Sequence, residues 1–111
     1  MVNDLSKPPL AGLRVIDFTT MIAGPYCARL LADCGAEVIK IETDDGDYIR
    51  KATPMSDGVS SYFGHLNCGK KSVVLDLRSD EGNKAAFDLV ASADVVVENF
   101  RPGVMDRLGL N

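Results

Sequence analysis

The 111-residue chain has no tryptophan, one histidine and three cysteines, and each scarcity excludes something. His65 stands three residues before Cys68. A zinc site needs three or four ligands, and no C-x-x-C exists to complete one, so no metal is expected. Cys27 and Cys34 would lie two helical turns apart, about 10.5 Å along the axis at roughly 1.5 Å per residue, which is beyond disulfide reach. Reduced thiols in a cytoplasmic protein are the expectation. No apolar run approaches the roughly 20 residues that span a bilayer, and Met1 to Pro9 has neither a charged n-region nor an apolar h-region, so neither membrane insertion nor a leader is expected. The basic excess that a nucleic-acid partner demands is also missing: 12 Lys and Arg stand against 16 Asp and Glu, a formal charge of −4. Any phosphate binding must therefore be local.

With 46% apolar and 25% charged residues, the composition suits one globular domain. Gly12 opens a dense run, Leu13, Val15, Ile16 and Phe18, that predicts a strand buried on both faces. From Pro25 to Cys34 the pattern turns helical, with Cys27, Leu30, Leu31 and Cys34 at i, i+3, i+4, i+7 predicting a buried, inert Cys27. Pro25 suits a first helical turn and Gly35 a helix end. Val38 to Ile41 predicts a second strand closing at Glu42, followed by a polar segment, Thr43 to Ser61, that reads as a long loop. Ser72 to Leu77 predicts a third strand, and Asp80 to Ala93 a helix whose apolar face is Ala86, Phe87, Leu89, Val90 and Ala93. Val95 to Val97 predicts a fourth strand, and Val104 to Leu108 the start of a third helix. Such alternation implies an α/β fold: a Rossmann-like open, mostly parallel sheet with helices on both faces and a ligand crevice at the carboxyl ends of its strands.

Two strand ends run into polar turns: the stretch before Ala23-Gly24-Pro25 and Glu98-Asn99-Phe100-Arg101-Pro102-Gly103. A dinucleotide site would use the first, with Glu42 on a ribose hydroxyl. The turn reads Thr20-Met21-Ile22-Ala23-Gly24-Pro25, and one glycine does not meet the G-x-G-x-x-G requirement for close approach to a pyrophosphate.

The runs Pro9 to Asp17, Ala23-Gly24-Pro25, Leu31 to Glu42, Asn67 to Leu77 and Glu98 to Gly103 resemble, in order and spacing, the amino-terminal part of the family III CoA-transferases. That family includes formyl-CoA transferase, the carnitine CoA-transferases and α-methylacyl-CoA racemase. The resemblance implies a Rossmann-like large domain that binds coenzyme A, two chains interlocked as a homodimer, and an acyl-CoA and a carboxylic acid as reaction partners. It also implies an aspartate nucleophile downstream of every matched residue, so residues 1–111 read as an amino-terminal portion of the CoA-binding domain, inactive alone. The same resemblance puts Ile22 and Ala23 beside the thiol end of the coenzyme. Leu75, Asp76, Leu77 and Arg78 fall at the adenosine part, Asn99, Phe100 and Arg101 along the arm, and Arg107 near the phosphates.

Each residue also has a plainer role. Leu75 and Leu77 alternate as core side chains would, Phe100 suits packing, and Arg78 and Arg107 alone would be solvated arginines. Asp17 and Glu98 could pair for acid/base work, but a strand-end carboxylate more commonly caps a helix or meets a cation. Formyl-CoA transferases have a glutamine where this chain has Ile22 and a basic residue where it has Thr43, which leaves a more apolar acyl group open. Glu98 to Gly103 resembles the transferase form more than the racemase form. A racemase of the same family, or a non-catalytic nucleotide- or CoA-binding module, is the alternative.

Overall fold

The computed structural model describes residues 5–111. The elements run β1 (Arg14–Asp17), α1 (Ala23–Asp33), β2 (Glu37–Glu42), β3 (Met55–Ser56), β4 (Val59–Ser60), α2 (Ser61–Asn67), β5 (Lys71–Val74), α3 (Asp80–Ala91), β6 (Val95–Val97) and α4 (Val104–Leu108), with a 3-10 turn at Tyr48–Lys51.

Four strands form one parallel sheet in the order β5-β2-β1-β6. The chain steps outward from β1 through β2 to β5, then returns to lay β6 on the other side of β1. This reversal opens a crevice outside the carboxyl ends of β1 and β6, the place where open α/β sheets receive ligands.

Period-two alternation assigns the strand side chains to two faces. Ile16, Phe18, Ile39 and Ile41 gather with Ala86 of α3 and Leu110 in one apolar core, against which α4 also packs through Met105 and Leu108. Val15 and Val38 pack on the opposite face with Ala28 and Ala36, under α1. Helices therefore cover both faces, as the alternation predicts.

The structure differs locally from the sequence reading in four places. Helix α1 buries Gly24, Pro25 and Ala28, while Cys27 is exposed and Leu30 nearly half so. Gly24 and Ala28 let the helix lie close to the sheet, so of the larger apolar stripe Leu31 packs on the core while Cys27, Leu30 and Cys34 point outward. The segment after Glu42 is organised, with a two-residue hairpin turn at Asp57 and Gly58, both at positive φ, as the primed turns require. Helix α2 then follows, its N-cap Ser60 accepting a hydrogen bond from Phe63 N at 3.1 Å. Strand β5 ends at Val74, so Leu75 to Arg78 form an irregular lip rather than strand. On α3, Ala86 is buried, Leu89 and Val90 pack on the core, and Phe87 faces outward.

Candidate coenzyme crevice

The crevice begins with the turn between β1 and α1. A turn of this kind has no ladder to satisfy its backbone, so side chains must do so. Asp17 Oδ1 accepts from Thr19 N at 2.8 Å and from the Thr19 hydroxyl. Lys40 Nζ donates to Thr19 O at 2.8 Å. Asn99 Oδ1 accepts from Thr20 N at 3.0 Å while its Nδ2 donates to Thr20 O at 2.8 Å. Asp47 Oδ1 accepts from Met21 N at 3.4 Å and from Ile49 N at 3.0 Å. Met21 is held at φ 72°, a left-handed conformation that costs a non-glycine residue roughly 1–2 kcal/mol. Gly24 lets α1 press onto this turn, since a Cβ there would meet Thr19 Cβ at 2.4 Å.

Beneath the turn lie three ion pairs, all of whose members except Arg50 are buried. Lys70 Nζ reaches Asp17 Oδ2 at 2.7 Å, Pro25 O at 2.9 Å and Asn67 Oδ1 at 2.8 Å, so all three ammonium protons have acceptors. Burial pushes the Lys70 ammonium below its ordinary range, against the pull of Asp17. Lys40 Nζ faces Asp47 Oδ2 at 3.0 Å as a charge pair off hydrogen-bond alignment, and both side chains are almost wholly buried. Glu42 accepts from Asp47 N at 2.9 Å and from Arg50 Nε and Nη2 at 2.8 and 2.6 Å, and also from Ser72. Burial pushes the Glu42 carboxyl up, but the hydrogen bonds from Arg50, Ser72 and the Asp47 amide outweigh it and hold it at about 2. Glu42 thus has both oxygens committed internally, which is why it offers nothing to a ribose.

The outer wall is the lip after β5. Asp76 Oδ1 accepts from Arg78 N at 3.0 Å, and Ser79 caps α3 by accepting from Gly82 N at 3.0 Å. Gly82 is required for this approach, because a Cβ there would lie 2.0 Å from Asp76 O. Three adjoining hollows meet at Leu77. An inner cavity of about 60 Å³ lies between Phe18, Lys40, Thr43, Leu77 and Phe100. A cleft of about 510 Å³ runs between Thr43, Asp76, Arg78, Phe100 and Leu108. An outer groove of about 770 Å³ is lined by Arg78, Ser79, Lys84, Phe87 and Arg107.

The structure brings Asp76, Leu77, Arg78, Phe100 and Arg107 to these joined hollows. Leu75 packs against the apolar core, and Leu77 and Phe100 do so while also lining the hollows; the Phe100 ring lies 6.3 Å from that of Phe18. Ile22 and Ala23 sit at the start of α1, with Ile22 half exposed and apart from the hollows at Leu77. Asn99 joins that turn to the loop after β6 through its amide. Arg101 is exposed and lines none of the three hollows. Among the described residues, Arg78, Arg101 and Arg107 form no ion pair with a carboxylate, unlike Lys40, Arg50 and Lys70. Their guanidinium groups are open to an anion. Asp17 and Glu98 have separate duties: Asp17 meets Lys70, and Glu98 accepts from Phe100 N at 2.9 Å. His65 stacks on Tyr26, its ring centroid 6.3 Å away, and meets Arg29 through Nδ1.

Sequence reasoning missed Lys40, Asp47 and Lys70. A charge inside Val38-Ile39-Lys40-Ile41, a strand buried on both faces, must find a partner, and that signal was there to read. Lys70 gave none, because its carboxylate partner lies 53 residues away.

Comparison with known proteins agrees with this fold. The family model described as CoA-transferase family III matches residues 10–111. Succinyl-CoA:mesaconate CoA-transferase of Haloarcula hispanica is 50% identical over 103 residues, 88% of this chain and 26% of that protein. Acetyl-CoA:oxalate CoA-transferase of Acetobacter aceti is 50% identical over 107 residues, 95% of this chain and 27% of that protein. The crystal structure of a CAIB/BAIF family protein from Brucella suis superposes with a TM-score of 0.89 at 41% identity, over 95% of this chain and 29% of that one. The chain thus spans about a quarter of the length of the curated relatives it matches. Family model, relatives and superposed structure each cover most or nearly all of the chain, which belongs to CoA-transferase family III.

Proposed function

We propose that residues 1–111 supply a coenzyme A crevice to an enzyme that moves CoA between carboxylic acids. The observation that carries this reading is the set of joined hollows at the carboxyl ends of the parallel strands, edged by the unpaired guanidinium groups of Arg78 and Arg107. A coenzyme with a purine, two phosphate centres and a long amide arm needs an apolar slot beside a few free cations. In this reading Leu75 to Arg78 meet the adenosine part, Arg107 the phosphates, Asn99 to Arg101 the arm, and Ile22 and Ala23 the thiol end.

The chemistry we assign to the whole protein runs through an aspartate outside this sequence. Its carboxylate attacks the thioester carbonyl of the acyl-CoA, giving a mixed anhydride and CoA thiolate. The thiolate then attacks the aspartyl carbonyl, releasing the donor acid and leaving an aspartyl thioester. The acceptor carboxylate repeats both steps in reverse order and leaves as the new acyl-CoA. The role of the present residues is to hold CoA while its acyl partner changes. Ile22, apolar and half exposed at the turn, favours an acyl group with apolar surface beside the thiol. The working form is taken to be a cytoplasmic homodimer without metal.

Calorimetric titration of the full-length protein tests the reading. CoA binds and NAD does not, and Arg107→Ala weakens CoA at least tenfold, in line with about 1.5–3 kcal/mol for a hydrogen bond to a charged group. Equal or tighter binding of NAD overturns it.

A further inference from the structure

Asn99 stands exposed at the start of the loop after β6, where a polar side chain is free to meet solvent or ligand. Both ends of its amide are instead engaged by one residue, Thr20, 79 positions earlier: Oδ1 accepts from the Thr20 N–H and Nδ2 donates to the Thr20 carbonyl. The opposite amide orientation would face donor to donor and acceptor to acceptor, so this one is fixed by its partners. The neighbouring groups are held in the same way. Thr19 N is on Asp17, Thr19 O on Lys40 and Met21 N on Asp47. From Thr19 to Met21 every backbone N–H thus has a side-chain acceptor. Met21 keeps its left-handed φ within this ring of anchors. Three of these anchors, Asp17, Lys40 and Asp47, lie buried beneath the turn, whereas Asn99 crosses the crevice from the other strand.

We propose that Asn99 is a positioning residue: it latches the loop after β6 to the turn Thr19–Ile22 and so fixes how Ile22, Ala23 and the first turn of α1 face the crevice. This rests on the reading that the turn lies beside the acyl-bearing end of CoA. The two bonds to Thr20 use one amide proton and one carbonyl lone pair of Asn99, so it holds the turn while its second N–H stays open to the coenzyme arm.

The test uses the full-length protein with Asn99→Ala and Asn99→Asp. In Asn99→Ala, amide hydrogen exchange at Thr20 to Ile22 speeds up about tenfold or more, as expected for local opening. Asn99→Asp exchanges at an intermediate rate, since one carboxylate oxygen still accepts from the Thr20 N–H while the other repels the Thr20 carbonyl. Turnover falls about 10- to 100-fold, the scale of an ångström-sized misplacement at a reacting centre, and by a larger factor than calorimetric CoA affinity does. Unchanged exchange in Asn99→Ala overturns the latch. A tenfold loss of CoA affinity with unchanged turnover overturns it as well, in favour of a direct ligand. If the unsubstituted protein binds no CoA, the functional reading has failed and the exchange measurement alone decides whether Asn99 latches the turn.

Discussion

Strand β1 and the residue after it send Ile16 and Phe18 to one face of the sheet and Val15 and Asp17 to the other, while β2 sets Ile39 and Ile41 against Val38, Lys40 and Glu42. On the α3 and α4 side the result is an apolar core of ordinary type. On the α1 side, beyond a small apolar patch, the strands end in buried charge: Asp17 with Lys70, Lys40 with Asp47, and Glu42 with a partly exposed Arg50. Apolar packing is tolerant of shape, whereas a buried ion is tolerated only with each partner in place. The sheet therefore keeps its forgiving chemistry under α3 and α4 and its exacting chemistry under the turn that faces the crevice. The contrast teaches that the turn's conformation is set from below, by side chains, because its backbone has no ladder.

Breaking the charged side should cost most. Lys70→Met leaves Asp17 buried without its cation and also orphans Pro25 O and Asn67 Oδ1; denaturant unfolding should show a loss of about 3–5 kcal/mol. A loss below about 1 kcal/mol would mean that the pair is replaceable by packing, as some buried pairs are.

Acid probes the same side through Glu42. Its folded-state carboxyl, held at about 2 against an ordinary 4.5, contributes stability that is fully present above pH 4.5 and lost as pH falls toward 2. The difference corresponds to about 3 kcal/mol. Unfolding measured from pH 7 to pH 2 should show this decline, and Glu42→Gln should flatten it. An equally steep decline in the variant would place the acid sensitivity elsewhere.

The apolar side should respond least. Ile39→Val removes one buried methylene from the core facing α3 and should cost about 0.5–1.5 kcal/mol, with the exchange rates of the Thr19–Ile22 amides unchanged. Acceleration of those amides would show that the two faces are not independent and would weaken the comparison.

Much of this architecture was legible in the sequence. Short β-branched runs at Leu13 to Phe18 and Val38 to Ile41, with a helical period between them and Gly35 closing the helix, are local signals, and they led to a parallel sheet with helices on both faces. The helix Ser61–Asn67 escaped notice because it is short and carries Gly64 at its centre, so its apolar residues show little periodicity. The outward Cys27 escaped because α1 lies close to the sheet through Gly24 and Ala28, which a pattern of large apolar residues does not reveal. In the crevice, half of the residues carried by resemblance line the hollows at Leu77, while the anchors of the turn do not announce themselves. Asn99 reaches Thr20 across 79 positions and Lys70 reaches Asp17 across 53, and such partners are joined only by the topology.

In the proposed reading coenzyme A lies in this crevice, along the carboxyl ends of the strands. A crystal structure of the full-length protein bound to CoA tests it most directly. The adenosine part should lie against Leu77 and Arg78, the phosphates within hydrogen-bond reach of Arg107, and the thiol toward Ile22 and Ala23 with the Asn99 to Thr20 bonds intact. Coenzyme bound elsewhere, with Arg78 and Arg107 still free, would contradict it.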